Sequence, residues 1–568
     1  MFDLRRFVRR LMSMRARRTG LDAYVANPIG GMPAAGSFAT ARLIPSLPAT
    51  PAGNWCVADS KQPLAVTRDE QADAADRFAR TLDIDDSDLN ALIGLGSIDR
   101  ARGDAAGAVS HWSRALDLAP ATSGLRYNLA CAYAEAGDLI AAVSTARAAR
   151  AADADPLPAA LLLGQLFELG GDTELAANAY TDAISLDPLA KVAWAGLGRA
   201  RRERAEFGLA EAAFVKAGPG FEIDVALACF NQNRHRDAIA ACERLLVREP
   251  QRADARMVLA NARLATGDMA AGWLDYEARL QVPGVVWPQV SQSAWTGEAL
   301  NGTLLVDCEQ GFGDCLYAVR FLAIARTRVR RLVLRCPLAL HGLFEASAVA
   351  DEIVAADALV TAADAHAWLL SLPGLLGIDS ARAIAGYLRI GSEPLARWRR
   401  RLAGPGSAIG LVWSGLATAP QNRYRRFDPA PLVTRLAGLG RLYSLQLPAS
   451  GVEPCPPAVI DLAQELSDFG ETAAAVCCLD LVISAETAVA HLAGALGVRT
   501  WIPLPLTADW RWEIAGRQSP WYSSVRVFRQ ARPMYWEDIF DAIKNDIRNL
   551  DVASGAQSLS PASSSGAE

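Results

Sequence analysis

The spacing of apolar residues divides the chain into two unlike parts. From about residue 70 to 281 the pattern is helical, and after residue 300 short β-rich runs alternate with helical stretches. The β-rich runs are TLLVDC, RLVLRC, AIGLVW, LYSLQ, DLVIS and RTWIPL. Strands that alternate with helices are typical of parallel sheets with crossover helices, so the sequence predicts an α solenoid followed by an α/β region.

The helical part contains an internal repeat. A Gly-Asp-like pair recurs with steps of 34, 34, 34, 28 and 34 residues, at Gly103-Asp104, Gly137-Asp138, Gly171-Asp172, Ala205-Glu206, Asn233-Arg234 and Gly267-Asp268. A small residue lies seven positions before each pair, at Gly96, Ala130, Gly164, Gly198, Ala226 and Ala260. Another lies five positions after the first member of each pair, at Ala108, Ala142, Ala176, Ala210, Ala238 and Gly272. Small side chains in register allow two antiparallel helices to approach closely around a turn.

Prolines and one short step mark the limits of these units. The second helix of a pair is predicted to end before Pro120, Pro156, Pro188 and Pro250, because proline cannot continue a helix. The 28-residue step falls near KAGPGFEID and predicts a local change in the superhelix. The two small-residue columns resemble those of the tetratricopeptide repeat (TPR) across residues 70–281. The resemblance implies a concave groove for an extended peptide or a partner protein; the alternative is that the repeats only lengthen or dimerise the chain.

The α/β part divides into two blocks, 301–395 and 405–550, separated by the Arg-rich segment EPLARWRRRLAGPGS. We expect two Rossmann-like lobes that face one another and bind ligands at the carboxyl ends of their strands. The remaining segments are a basic arm and disordered linker (1–69), a second linker (282–300) and a low-complexity, disordered tail (551–568).

The stretch EQGFGD, residues 309–314, follows one predicted strand and precedes a helical run. Gly311 and Gly313 permit tight backbone geometry and the close approach of a ligand. Asp314 stands near a helix start, where an Asp commonly acts as an N-cap. Its carboxylate could also accept a proton from an attacking hydroxyl group, so both roles stay open for Asp314. His366 in DAHAWLLSLP is a second acid/base candidate.

The second block has a matching strand end in DLVISAETAVAHLAGALGV. Here Glu486, Thr487 and Ala488 begin a helix whose free N–H groups and dipole favour a phosphate, and His491 follows one turn later. The sequence therefore predicts a diphosphate site. The alternative is that Glu486 caps the helix and His491 is an ordinary packed residue.

Two further strand ends lie in the second block. Ser414 and Gly415 of VWSG are predicted to close over the diphosphate together with Arg423, and Gln446 of YSLQLP lies where backbone groups could meet a nucleobase edge. The following QNRYRR supplies cations to neutralise phosphate charge, unless it is a solvated loop: Arg423, Arg425 and Arg426. In the helical part, no catalytic constellation is evident, and His235 is predicted to be a surface residue of an inter-helix turn.

Composition limits the classes of function. The chain has 568 residues, 51% of them apolar, and a net charge of −5, so it can bury several cores and has no basic field to draw it onto nucleic acid. No uninterrupted apolar run reaches the roughly 18–20 residues of a membrane helix. The ten cysteines include no CxxC pair, which favours reduced thiols, a cytoplasmic location, and neither a metal site nor a disulfide framework.

The first 18 residues, MFDLRRFVRRLMSMRARR, place apolar side chains among seven arginines. They lack the continuous apolar core of a secretory signal. Two interpretations remain open: a solvated basic arm, or an amphipathic helix that makes weak contact with an anionic membrane surface or a partner.

The ordered set of motifs carries a more specific resemblance. The set runs from AGWLDYEARL through LLVDCEQGFGDCLYAVRFL, HAWLLSLPGLLG, IGLVWSG, LYSLQ and ELSDFGETAAAVCCLDLVISAETAVAHLAGALG to DWRW and SPWYSSVRVFRQ. It resembles bacterial TPR proteins with a GT-B glycosyltransferase-like end, itself similar to lipopolysaccharide heptosyltransferases and, more remotely, O-linked N-acetylglucosamine transferases. By this resemblance EQGFGD faces the acceptor, and SAETAVAH and VWSG face the sugar nucleotide. The pairing of repeats with such a lobe is also similar to bacterial flagellin glycosyltransferases.

The chain departs from that family at identifiable positions. Glu486 stands where many relatives carry Asp, the loop after VWSG lacks the expected histidine, and the first lobe is short. No Asp-X-Asp metal pair ends a strand in the second half, so leaving-group charge would fall to the helix N-terminus and the arginines.

The resemblance implies a metal-independent, inverting glycosyltransferase that needs no cofactor. It would move a sugar from a nucleotide-sugar donor to a protein acceptor recruited by the TPR groove, with flagellin or another surface protein as acceptor. The alternatives are a noncatalytic interaction scaffold with a degenerate GT-B domain, and an enzyme that modifies a lipid-linked or polysaccharide acceptor.

Overall fold

The computed structural model describes residues 68–282, 287–288, 290–416, 419, 421–449, 451–512 and 515–557. The described residues form two compact units that divide between Val225 and Ala226. The basic arm lies outside the described residues, as does the tail beyond residue 557. The last helix continues through residues 551–557, and the disordered tail stays a prediction.

Antiparallel helix pairs build the first unit, as the 34-residue repeat predicts. Its helices are α1 (Arg68–Ile84), α2 (Leu89–Arg102), α3 (Ala105–Leu118), α4 (Leu125–Glu135), α5 (Leu139–Ala152), α6 (Leu157–Leu169), α7 (Thr173–Leu186), α8 (Lys191–Glu203) and α9 (Phe207–Ala217). The division between the units falls inside α10 (Glu222–Asn231). The second helices α3, α5 and α7 end two to four residues before a proline, as predicted. This is the TPR arrangement of helices.

The Gly-Asp pairs explain the turns physically. Gly103, Gly137, Gly171 and Gly267 adopt positive φ angles between 68° and 87°, which allow the chain to leave the first helix of each pair. The following Asp then caps the second helix; the Asp104 carboxylate, for example, accepts the N–H of Gly107 at 2.9 Å. One residue thus ends one helix and the next begins another.

The small-residue columns make room for aromatic rings. An added Cβ atom would lie 2.5 Å from Trp112 at Gly96, 2.5 Å from Tyr180 at Gly164 and 2.7 Å from Phe214 at Gly198. These rings are buried on the second helices of the pairs. The period read from the sequence is therefore the period of a packed interface.

The second unit begins with the remaining repeats and continues into two parallel sheets. Its first helices are α11 (His235–Arg248), α12 (Ala253–Ala265) and α13 (Met269–Tyr276), followed by a 3-10 turn (Glu277–Gln281). His235 opens α11 but is only 4% exposed and meets the Phe230 ring edge-on at 4.8 Å. The prediction that His235 lies on the surface is wrong, because its turn packs against the preceding helix; burial lowers its pKa to about 4.

The first sheet has five parallel strands in the order β1-β5-β2-β3-β4. They are β1 (Ser293–Ala294), β2 (Leu300–Asp307), β3 (Val329–Cys336), β4 (Glu352–Ala355) and β5 (Ala365–Trp368). The connections include α14 (Phe312–Ala318), α15 (Leu322–Ala325), α16 (Leu338–Ala346) and α17 (Leu372–Leu375), with 3-10 turns at Val319–Phe321 and Leu369–Ser371. α18 (Ser392–Arg401) leads to the second sheet.

The second sheet has six parallel strands in the order β11-β10-β9-β6-β7-β8. They are β6 (Ala408–Val412), β7 (Arg441–Ser444), β8 (Ile460–Asp461), β9 (Leu481–Ser484), β10 (Thr500–Leu504) and β11 (Val525–Arg529). The helices are α19 (Asn422–Arg425), α20 (Pro429–Leu436), α21 (Phe469–Val476), α22 (Ala488–Leu496) and α23 (Glu537–Gln557), with 3-10 turns at Ala463–Glu465 and Trp510–Trp512. Counted within the sheet, this is the 3-2-1-4-5-6 order of the Rossmann fold.

Candidate functional site

Both sheets place a predicted turn at the point where their strand order reverses. In the first sheet β2 lies between β5 and β3, and EQGFGD follows β2. In the second, β6 and β9 are neighbours although they are not consecutive in the chain; VWSG follows β6 and SAETAVAH follows β9. The connections leave such neighbouring strands in opposite directions, so a crevice opens between them at the carboxyl ends. The candidate site lies at these two reversal points.

The two turns meet inside the second unit. A Cβ atom added to Gly313 would lie 3.0 Å from Cδ2 of His491 and 3.5 Å from Cα of Ala488. Any larger residue at position 313 would therefore press on the start of α22. The glycine lets the EQGFGD turn approach the predicted diphosphate helix closely, whereas the sequence analysis expected it to admit a ligand.

Asp314 makes the capping interaction that the sequence allowed and an ion pair that the sequence did not indicate, and its role as a base stays a prediction. Its Oδ2 atom accepts the N–H of Gly311 at 3.0 Å, which is a helix-capping role. Its Oδ1 atom accepts a hydrogen bond from Arg511 at 2.7 Å, and Arg511 also pairs with Asp509 at 2.9 Å. Burial raises the pKa of Asp314, and the neighbouring Arg511 opposes that rise.

The pKa of Asp509 is shifted in the direction opposite to that of Asp314. Burial alone would raise its pKa, but Arg511 and Arg425 hold the pKa of Asp509 below its ordinary value. Two carboxyl groups that share one guanidinium group thus have their pKa values moved in opposite directions. Such separation is common where one group holds a charge and another exchanges a proton.

Glu486 is buried at the start of α22 with only one oxygen satisfied. Oε1 pairs with Arg425 at 3.1 Å, whereas Oε2 is buried without a hydrogen-bond partner among the described residues. Burial raises the pKa of Glu486 to about 7, against the opposing effect of Arg425. An unsatisfied buried oxygen is costly, so this atom is placed to receive a donor from a ligand.

Thr487 and α22 supply the predicted phosphate-binding end. No described side chain caps this helix start, and the Thr487 hydroxyl lies 3.0 Å from the Ser484 hydroxyl. The helix spans nine residues from Ala488. The first N–H groups and the dipole of such a helix favour an anion, and phosphate binding at this position stays a prediction.

His491 lies on the next turn of α22 in an aromatic setting. Its Nδ1 atom is 2.9 Å from the Tyr522 hydroxyl, and its ring stacks on Trp512 with centroids 4.9 Å apart. Burial, aided by the positive charge of Arg511, lowers the pKa of His491 to about 3. The imidazole is therefore neutral at physiological pH and cannot supply a positive charge to a diphosphate.

The polar groups of VWSG are largely engaged with one another. The Asn422 amide donates to the Ser414 hydroxyl at 3.0 Å and accepts the N–H of Gly415 at 2.8 Å. The Gln446 carbonyl oxygen accepts the N–H of Ser414 at 2.9 Å and that of Trp413 at 3.2 Å. Gln446, which follows β7, thus fixes the conformation of the chain at the end of β6, and a role in nucleobase recognition stays a prediction.

The VWSG and SAETAVAH turns are adjacent. A Cβ atom on Gly415 would lie 3.7 Å from the Thr487 methyl group.

Of the predicted arginines, Arg425 pairs with Glu486. Arg423 lies over the Tyr424 ring at 4.8 Å, and Arg426 donates to the Gly451 carbonyl at 2.6 Å. Arg423 was the arginine predicted to close over the diphosphate, but it is the Arg425 guanidinium of the short helix α19 that reaches Glu486 at the end of β9. The diphosphate role of Arg423 stays a prediction.

His366 belongs to a different cluster. Its Nε2 atom is 3.0 Å from Oδ2 of Asp307. The two carboxylate oxygens of Asp307 also accept hydrogen bonds from Arg335, each at 2.6 Å. No hydrogen bond or ion pair among the described residues joins His366 to Asp314. The side chain is 5% exposed and packs edge-on to Trp368. This setting gives His366 a structural role between β2 and β5, and its acid/base role stays a prediction.

Side chains of α13 and of the 3-10 turn after it form hydrogen bonds with the EQGFGD turn. Arg279 donates twice to Glu309, at 3.0 and 2.8 Å, and once to Ser371 at 2.7 Å. The Tyr276 hydroxyl donates to Gln310, at 3.3 Å, and Gln310 has a φ of 60°. A non-glycine residue rarely adopts this left-handed conformation, so the turn is held by its surroundings.

Sequence reasoning missed several members of this cluster. Asp509 and Arg511 lie in the DWRW motif, Tyr522 in SPWYSS, and Arg279 in AGWLDYEARL. All three motifs are present in the sequence. The only sign of buried charges was that Asp509 and Arg511 stand beside tryptophans in DWRW. Arg511 is 197 residues from Asp314 in the chain, so no local pattern could pair them.

Two kinds of feature are absent from the described part of the chain. No helix there combines the length and apolar character needed to cross a bilayer. No group of three or more His, Cys, Asp or Glu side chains there is arranged to hold a metal ion. Nine of the ten cysteines are described, and all nine are free thiols.

Comparison with known proteins places the chain only coarsely. No family model matches it. A 371-residue stretch is 28% identical to protein FlbA of Caulobacter vibrioides, covering 55% of this chain and 58% of that protein. The chain thus spans little more than half the length of this curated relative.

Solved structures similar to the chain are TPR proteins matched over short stretches. MamA is 22% identical over 26% of this chain and 87% of its own, with a TM-score of 0.26. YrrB, described as a TPR protein with an unusual peptide-binding site, is 15% identical over 32% and 96%, with a TM-score of 0.28. A TPR protein from Parabacteroides merdae is 16% identical over 38% and 88%, with a TM-score of 0.30. The repeat architecture therefore rests on the helix pairs themselves.

Proposed function

We propose that this chain transfers a sugar from a nucleotide-sugar donor to a protein acceptor. The observation that carries the proposal is the meeting of two strand-reversal crevices from separate parallel sheets, where Gly313 reaches His491 and Ala488. One crevice offers a buried carboxyl group, and the other offers an uncapped helix start. A GT-B glycosyltransferase places its acceptor and its sugar nucleotide at such positions.

In this proposal Asp314 accepts the proton of the attacking acceptor hydroxyl. Its raised pKa brings the carboxylate closer to the proton affinity needed of a base at neutral pH. The bond from Arg511 holds Oδ1 in place. The departing diphosphate lies at the start of α22, where helix N–H groups and Arg425 offset its charge.

Glu486 supports sugar recognition within the same proposal. Its unsatisfied Oε2 atom can accept a hydrogen bond from a hydroxyl group of the donor, and its raised pKa lowers the repulsion of a nearby diphosphate. The nucleotide sugar acts as a substrate, and the proposal needs neither a cofactor nor a metal ion.

The TPR helices supply the acceptor side of the proposal. Helical repeats of this type present a groove to extended segments of partner proteins. We propose a protein acceptor recruited there, inside the cytoplasm, with flagellin as the first candidate because of the resemblance to flagellin glycosyltransferases. The acceptor is tested by mass spectrometry of surface proteins from cells with and without this chain; unchanged glycan profiles would count against the proposal.

The direct test of the chemistry is Asp314→Asn. We expect transfer to fall by about 100- to 10,000-fold, the usual contribution of a general base, while binding of a nucleoside diphosphate persists. The matched control is Asp509→Asn, which removes the other carboxylate of Arg511 but leaves Asp314. Equal losses in both variants would mean that Arg511, rather than a base at position 314, accounts for the effect.

A noncatalytic scaffold is the second candidate, and one observation favours it. Two guanidinium groups near the start of α22 are already paired with carboxylates, Arg425 with Glu486 and Arg511 with Asp314 and Asp509. A diphosphate would have to compete with these carboxylates. The scaffold is distinguished by its failure to bind any nucleoside diphosphate.

A further inference from the structure

The contact between Tyr522 and His491 joins the last strand region to the diphosphate helix. The Tyr522 hydroxyl is 2.9 Å from Nδ1 of His491, and both side chains are buried. Tyr522 lies in the SPWYSS loop before β11, and His491 lies on α22. No role has been assigned to Tyr522 in the site described above.

The direction of this hydrogen bond follows from acidity. A phenol is a better proton donor than a neutral imidazole N–H, and an imidazole nitrogen is a better acceptor than a phenol oxygen. The Tyr387 hydroxyl is a second acceptor near Tyr522, but it is a weaker one than the imidazole, so Tyr522 donates to Nδ1. Because a neutral imidazole carries one proton, that proton must lie on Nε2.

The free edge of the imidazole faces the other turn. Cδ2, which is bonded to Nε2, is the His491 atom nearest to Gly313. Nε2 has no hydrogen-bond partner among the described residues, yet it is not one of the fully buried unpaired atoms. The side chain as a whole is 8% exposed. Because Gly313 packs against Cδ2, a ligand reaches Nε2 only through the small part of the ring that remains exposed, where it meets one N–H donor.

The phenol is itself held in place. Arg320 lies 4.4 Å above the Tyr522 ring, and it donates to the carbonyl of Trp521 at 2.7 Å and to the Tyr387 hydroxyl at 3.0 Å. On the other side, a Cβ atom on Gly494 would lie 2.6 Å from the Tyr522 ring. The ring therefore fits closely against α22, and its hydroxyl cannot easily turn away from His491.

We infer that Tyr522 is a positioning residue that holds His491 as the Nε2–H tautomer, so that His491 donates a hydrogen bond to an oxygen of the leaving diphosphate. The inference rests on the proposed transfer reaction. The imidazole keeps its proton throughout and acts as a fixed dipole, which stabilises charge developing on the diphosphate oxygen. With the opposite tautomer, the lone pair of Nε2 would repel that oxygen.

The tautomer can be read directly in the full-length chain. The sequence has five histidines, so the nitrogen spectrum of protein labelled with ¹⁵N-histidine is simple, and His491→Gln assigns the signals of residue 491. We expect a protonated Nε2 and a nonprotonated Nδ1 in the wild type. Inorganic pyrophosphate should shift the Nε2 signal. Tyr522→Phe should give a mixture of both tautomers and a weaker response to pyrophosphate.

Two further variants separate positioning from damage to the fold. Gly494→Ala keeps the phenol but displaces its ring, and should also mix the tautomers. Tyr443→Phe removes another buried hydroxyl, one bonded to Arg441 on β7, and should leave the His491 signals unchanged. In the transfer reaction, Tyr522→Phe should lower kcat about tenfold with KM nearly unchanged, as expected for an interaction made in the transition state.

A wild-type Nδ1–H tautomer overturns the inference whatever the activity, as does an unchanged tautomer in Tyr522→Phe or an absent response to pyrophosphate. Absence of transfer by the wild type, together with the expected tautomer and pyrophosphate response, instead overturns the proposed reaction. In that case the histidine remains an anion-binding donor set by Tyr522.

Discussion

Burial of Glu486 at the start of α22 makes its protonation depend on the fold. The pKa of this carboxyl group is raised to about 7 from an ordinary value of 4.5, because burial disfavours the charged form. A group whose pKa is higher in the folded state stabilises the fold fully below its unfolded pKa. That contribution is lost as the pH rises through about 7.

The residue-scale prediction compares the wild type with Glu486→Gln. Between pH 4.5 and 7 the wild type should lose on the order of 3 kcal/mol of stability relative to this variant, since each pKa unit corresponds to about 1.4 kcal/mol. Denaturant titrations at several pH values measure the difference. A constant difference across the range would show that Glu486 is ionised in the folded protein and that its pKa is not raised.

Glu486 also shows which of its properties follow from neighbouring residues and which follow from distant segments of the chain. The sequence places Glu486 at a helix start, and that holds. Burial by segments that are distant in the chain raises its pKa and leaves Oε2 unsatisfied; Arg425 opposes the rise in pKa, and Asp509 adds to it. A pattern of neighbours cannot show how many partners a buried carboxylate finds.

At the scale of the elements, two turns of the repeat use a costly residue. Ala205 and Asn233 occupy the position of the turn glycines and both adopt a φ of 58°. Their register was read correctly from the sequence, since the pairs Ala205-Glu206 and Asn233-Arg234 were aligned with Gly-Asp pairs. The strain that follows was not visible in the sequence, because alanine has no local preference for this conformation.

We expect Ala205→Gly to stabilise the first unit by about 0.5–1 kcal/mol, because glycine adopts a positive φ without a steric penalty. Gly137→Ala at the equivalent turn is the matched control and should destabilise it by about 1–2 kcal/mol. Urea denaturation followed by far-ultraviolet circular dichroism measures both. If the two substitutions shift stability in the same direction, Ala205 does not adopt a positive φ angle in the folded protein.

The buried pair of Arg279 and Glu309 links the last repeat to the EQGFGD turn. Their side chains are 1% and 2% exposed. We expect Arg279→Met to destabilise the second unit by about 3–5 kcal/mol, because Glu309 would remain buried without its partner. Adding Glu309→Gln should recover part of the loss. Tryptophan fluorescence during denaturation reports this transition, since most described tryptophans lie in the second unit.

A surface pair serves as the control for this prediction. Arg401 and Glu465 are 40% and 41% exposed, so Arg401→Met should cost less than about 1 kcal/mol. A comparable loss from both arginines would show that the Arg279 pair gains nothing from its burial.

At the scale of the whole molecule, the proposed chemistry belongs to the second unit alone. Both crevices and the carboxylates between them lie after residue 225. We expect one or more nucleoside diphosphates to raise the free energy of unfolding of this unit by about 2.7 kcal/mol at a ligand concentration of 100 times Kd. The unfolding midpoint of this unit should rise accordingly. The transition of the first unit should not move.

The corresponding nucleosides without phosphate are the control and should stabilise the unit much less, since α22 is proposed to bind the diphosphate. Thermal scans with a panel of nucleoside diphosphates test the prediction, with each unit followed as a separate transition. If none of them stabilises the second unit, the noncatalytic scaffold becomes the better explanation.

The sequence by itself determined the features that depend on neighbours within one or two turns of chain. The 34-residue period, the Gly-Asp turns and the alternation of strands and helices are written in local spacing, because helix caps and packing columns repeat with the chain. It also placed EQGFGD, VWSG and SAETAVAH at strand ends.

Tertiary structure alone decided which of these residues act together. It paired Asp314 with Arg511, turned Arg425 rather than Arg423 toward Glu486, set Tyr522 against His491, and drew His366 to Asp307. The physical reason is that strand order, not chain order, sets which strand ends are neighbours. Burial then assigns each carboxyl group and imidazole its charge, and that depends on partners which the chain brings from distant segments.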